Sequence, residues 1–125
     1  MLKKLLNTLG ASRDYGFFWT EFLQIKTQIQ SELQEVEVEI NANDKEKIAE
    51  EYADLLQVVL ELGIFLSLDI EKILERADKK FNGRLDTLKE IALSKDLQDL
   101  RGQSSELKRH LWKQAKEELA SKENA

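Results

Sequence analysis

Two pairs of acidic residues are the feature of this sequence best suited to chemistry. Glu32 and Glu35 are three residues apart, and so are Glu51 and Asp54. Residues three apart share one helix face, so each pair can offer two carboxylates to one ligand. Carboxylate oxygens suit Mg²⁺ or Mn²⁺, and a metal held this way can orient a water, lower its pKa and stabilise charge on an attacked phosphorus. The four residues are therefore candidate metal ligands and candidate catalytic residues.

The placement of the pairs along their helices predicts that they meet. Every acidic residue of the four directly precedes a residue of its own apolar stripe, namely Leu33, Val36, Tyr52 or Leu55. A short turn makes the two helices antiparallel, so matching edges of the two stripes face each other. Glu35 and Glu51 are each eight residues from Asn43, while Glu32 and Asp54 are each eleven, which gives matching heights. Because four clustered carboxylates repel, we expect cations or protons among them.

Apolar periodicity supplies the helices that carry these residues. One apolar residue recurs every three or four positions in four segments, at about 17–40, 45–66, 70–91 and 97–119. The first two predicted stripes are Phe18, Phe22, Ile25, Ile29, Leu33, Val36 and Ile40, then Ile48, Tyr52, Leu55, Val59, Leu62 and Leu66. Asp14, Asp44 and Asp69 are the expected caps of the first three helices, and Ser94 to Asp96 is expected to open the last.

These segments predict an all-α fold, an antiparallel bundle of four main helices that assembles into a homo-oligomer. Residues 1–13 are interpreted as a short leader with one or two helical turns, and residues 14–93 as a catalytic bundle. Residues 94–125 are interpreted as a C-terminal helical arm that frays from Ser121. The second helix is apolar on most sides, which is typical of a bundle centre or a subunit interface.

Composition narrows the function classes. The chain has 125 residues, so one domain is expected, and its net charge of −5 disfavours a general nucleic-acid binder. The absence of cysteine excludes disulfides, thiolate zinc sites and cysteine nucleophiles. No segment approaches the roughly 20 apolar residues of a membrane span, and polar residues interrupt the first apolar run before it resembles a signal peptide. We expect a cytoplasmic protein.

The acidic motifs resemble those of the MazG family. Glu32-Leu33-Gln34-Glu35 matches its first ExxE motif, and Glu50-Glu51-Tyr52-Ala53-Asp54-Leu55-Leu56 is close to its second motif, EE-x-small-D-L-L. Downstream, Lys80-Phe81-Asn82-Gly83-Arg84 is similar to its K-F-x-x-R element. The resemblance covers residues 18–92. One departure is Ser31, which stands where many members have a further Glu.

The resemblance implies a Mg²⁺-dependent hydrolase. It would convert a nucleoside or deoxynucleoside triphosphate and water to the monophosphate and pyrophosphate. Glu32, Glu35, Glu51 and Asp54 would bind Mg²⁺, and Lys80 and Arg84 would hold the triphosphate. The superfamily includes dimeric deoxyuridine triphosphatases and phosphoribosyl-ATP pyrophosphohydrolases, so the resemblance leaves the substrate open. It suggests house-cleaning of noncanonical nucleotides, and assembly as a homodimer or a homotetramer.

Other features admit alternative interpretations. Trp19 is a candidate platform for stacking a nucleobase, although an aromatic residue at a helix start more often belongs to the core. A non-enzymatic helical interaction module, with the acidic edge as a solvated rim, is the second hypothesis. A helical iron-carboxylate protein is the third, and the missing Glu-x-x-His pair argues against it because His110 follows Glu106 by four residues.

Overall fold

A computed structural model describes residues 1–124, and these residues form α-helices without any β-strand. The predicted all-α class is confirmed. Five helices are present where the sequence predicts four main ones, because the supposed leader is itself a helix. Their bounds are α1 Leu2–Tyr15, α2 Phe22–Ala42, α3 Lys45–Phe65, α4 Ile70–Ser94 and α5 Ser105–Glu123. The chain divides into two compact units, residues 1–70 and residues 71 onward, and each is described by itself.

Helix α1 replaces the predicted leader of one or two turns. It buries Leu9 and packs on α3 within the first unit. The helix ends at Gly16, whose φ of +100° lies in the left-handed region that glycine adopts without strain. The Ser12 hydroxyl donates a 2.7 Å hydrogen bond to the Phe17 carbonyl oxygen and ties the chain just beyond that turn. Asp14 therefore lies inside α1, and its predicted role as the cap of the next helix is wrong.

Helices α2 and α3 form a hairpin. Helix α2 begins at Phe22, later than predicted, and the Gln24 side-chain oxygen accepts hydrogen bonds from the backbone N–H groups of Thr20 and Glu21. It ends at Asn43, which adopts a left-handed conformation with φ +55°. The Asp44 side chain then accepts the backbone N–H of Lys47 at 3.2 Å, so its predicted role as the N-cap of α3 is confirmed.

The second unit contains most of α4 and all of α5. Helix α4 begins at Ile70, directly after Asp69, as predicted. The last helix begins at Ser105 and is capped by the Ser104 side chain, so the expected start after Asp96 is wrong. Residues 95–104 instead form turns, and Asp96 and Gly102 adopt positive φ. The core of this unit joins Ile91, Leu111 and Ala115.

Helix α5 continues to Glu123, which includes three residues of the predicted frayed tail, whereas Ala125 lies outside the described residues. Across residues 1–124, no helix combines the length and apolar character that crossing a membrane requires.

Candidate metal centre and adjoining groove

The α2–α3 hairpin brings three of the four predicted carboxylates together. One oxygen from each of Glu32, Glu35 and Glu51 lies within 4.8 Å of the others. Asp54 is not part of this trio but lines the same groove as Glu32. The matched heights predicted from Asn43 thus place the two acidic pairs side by side, since the hairpin turn occupies only Asn43 and Asp44 between the two helices.

Two carboxylate oxygens of the trio have no hydrogen-bond partner within the described part of the chain. Oε2 of Glu32 and Oε2 of Glu51 are buried without a hydrogen bond among the described residues. The other Glu32 oxygen accepts a 2.7 Å hydrogen bond from the Gln28 side-chain amide. A buried polar atom without a partner is costly, and native structures rarely retain one without a reason. These orphaned oxygens, beside a third carboxylate, fit the donor set of a hard divalent cation such as Mg²⁺ or Mn²⁺.

The surroundings of Glu32 disfavour the ionised form of its carboxyl group. Burial raises the pKa of the Glu32 carboxyl above the ordinary glutamate value. The hydrogen bond from Gln28 works in the opposite direction, whereas the carboxyls of Glu35 and Asp54 raise the pKa further. A cation in the cluster would favour the ionised form of Glu32, so cation and proton compete for the same oxygens.

Glu32 occupies a buried position in the helix interface, where the predicted stripe places its neighbour Leu33. Glu32 is only 9% exposed, whereas Leu33 is 56% exposed. On α3, Tyr52 is likewise 59% exposed while Val58 is buried. The interface therefore follows Ile25, Ile29, Glu32 and Val36 on α2, and the predicted stripe residues Leu33, Ile40 and Tyr52 point away from it. The predicted stripe is therefore right at Ile25, Ile29 and Val36 and wrong at its exposed members, because both helices carry more apolar residues than one face holds.

A groove of about 290 Å³ extends from the carboxylates along the hairpin. Glu32 and Asp54 line its acidic end, and Phe17, Trp19 and Glu61 line its aromatic end. Gln28, Gln57 and Val58 lie along the groove as well. A smaller pocket of about 130 Å³ adjoins the aromatic end and shares its three residues, with Phe18 added. Glu32 and Asp54 therefore line the same groove as the aromatic side chains of Phe17 and Trp19.

Trp19 does not lie on a helix, contrary to the sequence interpretation. It belongs to the segment 16–21 that precedes α2, and it is partly buried. Its indole Nε1–H donates a 3.1 Å hydrogen bond to Oε2 of Glu61 on α3. The structure thus places this aromatic side chain in the wall of the groove rather than in a core. Sequence reasoning missed Gln28 and Glu61, although each lies on the carboxylate face of its helix, four residues before Glu32 and seven after Asp54.

Lys80 and Arg84 belong to the second unit. They are one helical turn apart on α4, where Lys80 is exposed and Arg84 is half-buried. Lys80 lines a surface groove of about 360 Å³ together with Arg76 and Lys79. The adjoining Phe81 packs against Trp112 of α5, with ring centroids 5.3 Å apart and the two rings tilted by 42°. The basic pair of the K-F-x-x-R element is thus held on an ordered helix that packs on α5.

The sequence is similar to those of two known nucleotide pyrophosphohydrolases. A nucleoside triphosphate pyrophosphohydrolase/pyrophosphatase MazG of Thermotoga maritima is 33% identical over 76 residues, which cover 61% of this chain and 29% of that protein. A nucleoside triphosphate pyrophosphohydrolase of Escherichia coli K12 is 29% identical over 103 residues, covering 81% of this chain and 39% of that protein. The chain thus spans between 29% and 39% of the length of these curated relatives.

The family model of the MazG nucleotide pyrophosphohydrolase domain matches residues 20–88, which include both acidic motifs and the K-F-x-x-R element. This match covers more than half of the chain and agrees with the all-helical fold. The chain belongs to the MazG nucleotide pyrophosphohydrolase domain family.

Proposed function

We propose that the chain is a Mg²⁺-dependent nucleoside triphosphate pyrophosphohydrolase, with Mn²⁺ as a substitute metal. The observation that carries the proposal is the trio of Glu32, Glu35 and Glu51, whose oxygens lie within 4.8 Å of one another. Two of these residues contribute a buried oxygen without a hydrogen-bond partner among residues 1–124, which fits a set of cation ligands. Membership of the MazG family and the activities for which the two relatives are named support the same reaction.

The proposed reaction breaks the bond between the α-phosphorus and the oxygen that bridges to the β-phosphate. The oxygen of a water forms a new bond to the α-phosphorus, pyrophosphate departs with the bridging oxygen, and a carboxylate of the cluster accepts the proton of the water. Glu32, Glu35 and Glu51 would hold the metal together with Asp54, which lines the groove beside Glu32. A divalent cation in this position supplies Lewis-acid polarisation of the phosphate and a more acidic water.

The substrate contacts form a second part of the proposal. Trp19 offers an aromatic face in the groove wall for a nucleobase. Lys80 and Arg84 are proposed to contact the triphosphate on the strength of the K-F-x-x-R resemblance. House-cleaning of noncanonical nucleotides in the cytoplasm is proposed from the family resemblance.

The test is release of pyrophosphate from a panel of nucleoside triphosphates, measured with Mg²⁺ and with EDTA. We expect turnover with Mg²⁺, none with EDTA, and monophosphate and pyrophosphate in equal amounts. Glu51→Gln should lower kcat by about a thousandfold while the helical circular dichroism remains. Glu46→Gln is the matched control, because Glu46 lies in the first turn of the same helix and is exposed. If no nucleotide is consumed by the metal-loaded protein, a helical interaction module is the better description.

We propose in addition that the chain self-associates as a homodimer or homotetramer. The outward faces of the hairpin expose several large apolar side chains, Leu33, Ile40, Tyr52, Leu56 and Val59. Isolated apolar residues are normal on a surface, but Tyr52, Leu56 and Val59 share one face of α3 through their helical spacing, and such a set favours an interface. Light scattering after size exclusion tests the proposal: a mass of twice or four times 14.5 kDa is expected, and the mass of a single chain would contradict it.

A further inference from the structure

The hydrogen bond between Trp19 and Glu61 fixes the aromatic end of the groove. Trp19 lies in a non-helical segment, so α2 and α3 do not by themselves determine the orientation of its ring. Its Nε1–H donates to Oε2 of Glu61 at 3.1 Å, and both side chains are partly buried. Because Glu61 is on a helix in the hairpin, this bond holds the indole against a rigid element of the same unit.

Glu61 also has a second carboxylate oxygen, which can accept a hydrogen bond. A carboxylate has two oxygens and acts only as an acceptor when ionised. Trp19 is the one hydrogen-bond donor to Glu61 within residues 1–124, and it uses Oε2. Oε1 can therefore accept a hydrogen bond from a molecule in the groove that Glu61 lines.

The distance along α3 suits a bound nucleotide. Glu61 follows Asp54 by seven residues, which is two helical turns on nearly the same face and about 10 Å along the axis. Glu32 and Asp54 line the other end of that groove. A nucleotide whose phosphates lie at the acidic end would therefore place its base at the aromatic end, beside Trp19 and Glu61.

We propose that Glu61 is a specificity-determining residue that accepts a hydrogen bond from the exocyclic amino group of the substrate base while it positions Trp19. This inference rests on the proposed function. Cytosine and adenine present such an amino group, and glutamate is a known acceptor for the cytosine amino group in nucleic-acid recognition. Uracil and thymine present carbonyl oxygens in the same region, and these repel a carboxylate. The substrate class is thus a nucleoside triphosphate with an amino-bearing base.

Glu61→Gln separates the positioning of Trp19 from the recognition of the base. Glutamine preserves the first role and reverses the second. Its side-chain oxygen still accepts the Trp19 N–H, but its amide then presents a donor to the base in place of an acceptor. The matched substrates are dCTP and dUTP, which differ in having an amino group or a carbonyl oxygen at the same ring position. We expect the wild-type protein to prefer dCTP by about tenfold in kcat/KM, and Glu61→Gln to remove or reverse that preference.

Three further variants complete the experiment. Glu61→Ala should raise KM for both nucleotides because Trp19 loses its acceptor, and Glu61→Gln should restore the KM for dUTP. Trp19→Phe should raise both KM values while the preference for dCTP remains. Glu46→Gln, on an exposed glutamate of the same helix, should leave the preference and the KM values unchanged.

The outcomes also distinguish this inference from the proposed function. If the wild-type protein hydrolyses nucleotides but Glu61→Gln keeps the wild-type ratio of dCTP to dUTP, the role of Glu61 is overturned while the proposed function stands. If the wild-type protein hydrolyses neither nucleotide nor any other of the panel with Mg²⁺, the proposed function fails and the role of Glu61 fails with it.

Discussion

The two helix pairs of this chain bury polar groups in different ways. In the α4–α5 unit, the buried Thr87 hydroxyl donates to the Gly83 carbonyl at 2.9 Å, and the surrounding core of Ile91, Leu111 and Ala115 is apolar. In the α2–α3 hairpin, Glu32 is buried in the interface, and one of its oxygens has no hydrogen-bond partner among residues 1–124. A buried polar group that the protein satisfies stabilises the fold, whereas an unsatisfied one calls for an explanation such as a bound ion. The comparison therefore supports the proposal that the hairpin holds the metal.

The largest expected effect is a loss of activity without a loss of stability when a carboxylate of the hairpin is replaced. Glu51→Gln should lower kcat by about a thousandfold, because it removes a charged ligand from the trio. The free energy of unfolding of the metal-free protein should not fall, since the change relieves repulsion among the clustered carboxylates. Urea unfolding in EDTA, paired with pyrophosphate release in Mg²⁺, measures both. A large loss of stability would mean that the hairpin carboxylates are structural after all.

The reverse result is expected in the second unit. Leu111 is fully buried, so Leu111→Ala should lower the free energy of unfolding by about 2–5 kcal/mol. Leu93→Ala is the matched control, because Leu93 is 56% exposed and should cost much less. Equal losses for Leu111→Ala and Leu93→Ala in urea titrations would contradict the core assigned to this unit.

The pH dependence of stability should come from the hairpin. The pKa of Glu32 is raised, mainly by burial and further by Glu35 and Asp54, so the folded state favours the protonated carboxyl. Its contribution to stability is full below about pH 4.3, the unfolded pKa of glutamate, and is lost as the pH rises through the higher folded value. The metal-free wild-type protein should therefore lose stability from pH 4.3 upward, and Mg²⁺ should restore it near neutral pH.

Glu32→Gln isolates that pH effect. This variant cannot ionise, so the corresponding part of the pH dependence should disappear from its urea midpoints. Glu46→Gln serves as the exposed control and should titrate like the wild-type protein. A wild-type curve that stays flat between pH 4.3 and 7 in EDTA would show that the burial of Glu32 does not shift its titration.

The smallest expected effects test whether the two units differ at their helix ends. Ser104 caps α5 through the Leu107 N–H, as Asp44 caps α3 through the Lys47 N–H. Ser104→Ala and Asp44→Ala should each lower the free energy of unfolding by about 1 kcal/mol. Asp44→Ala should also lower activity if the start of α3 positions Glu51. A loss of activity in Ser104→Ala that equals the loss in Asp44→Ala would erase the contrast between the units.

Spacing within a helix was the most predictable part of the site. The members of each acidic pair are three residues apart, and the two pairs lie at equal numbers of residues from Asn43. These spacings suffice to predict that the pairs meet, because a helical hairpin leaves few geometric choices. Spacing did not predict that Glu32 would be buried in place of Leu33. Both faces of α2 carry apolar residues, and the choice between them depends on packing across the whole hairpin.

Irregular segments were the least predictable part. The aromatic residues favour a start of α2 at about Phe17, but the helix begins only at Phe22, and the Gln24 side chain accepts the backbone N–H groups of the preceding segment. The pairing of Trp19 with Glu61 joins residues 42 positions apart, which no local pattern specifies. Similarly, residues 95–104 were assigned to a helix although Gly102 and Asp96 adopt positive φ.

The brevity of the connection at Asn43 and Asp44 has a consequence for changes in chain length. Each residue added to a helix rotates everything beyond it by about 100° around the axis. One insertion between Glu35 and the end of α2, or between Lys45 and Glu51, would therefore swing one acidic pair away from the other while leaving every side chain present. This hairpin should tolerate replacement of its outward residues far better than the gain or loss of a single position.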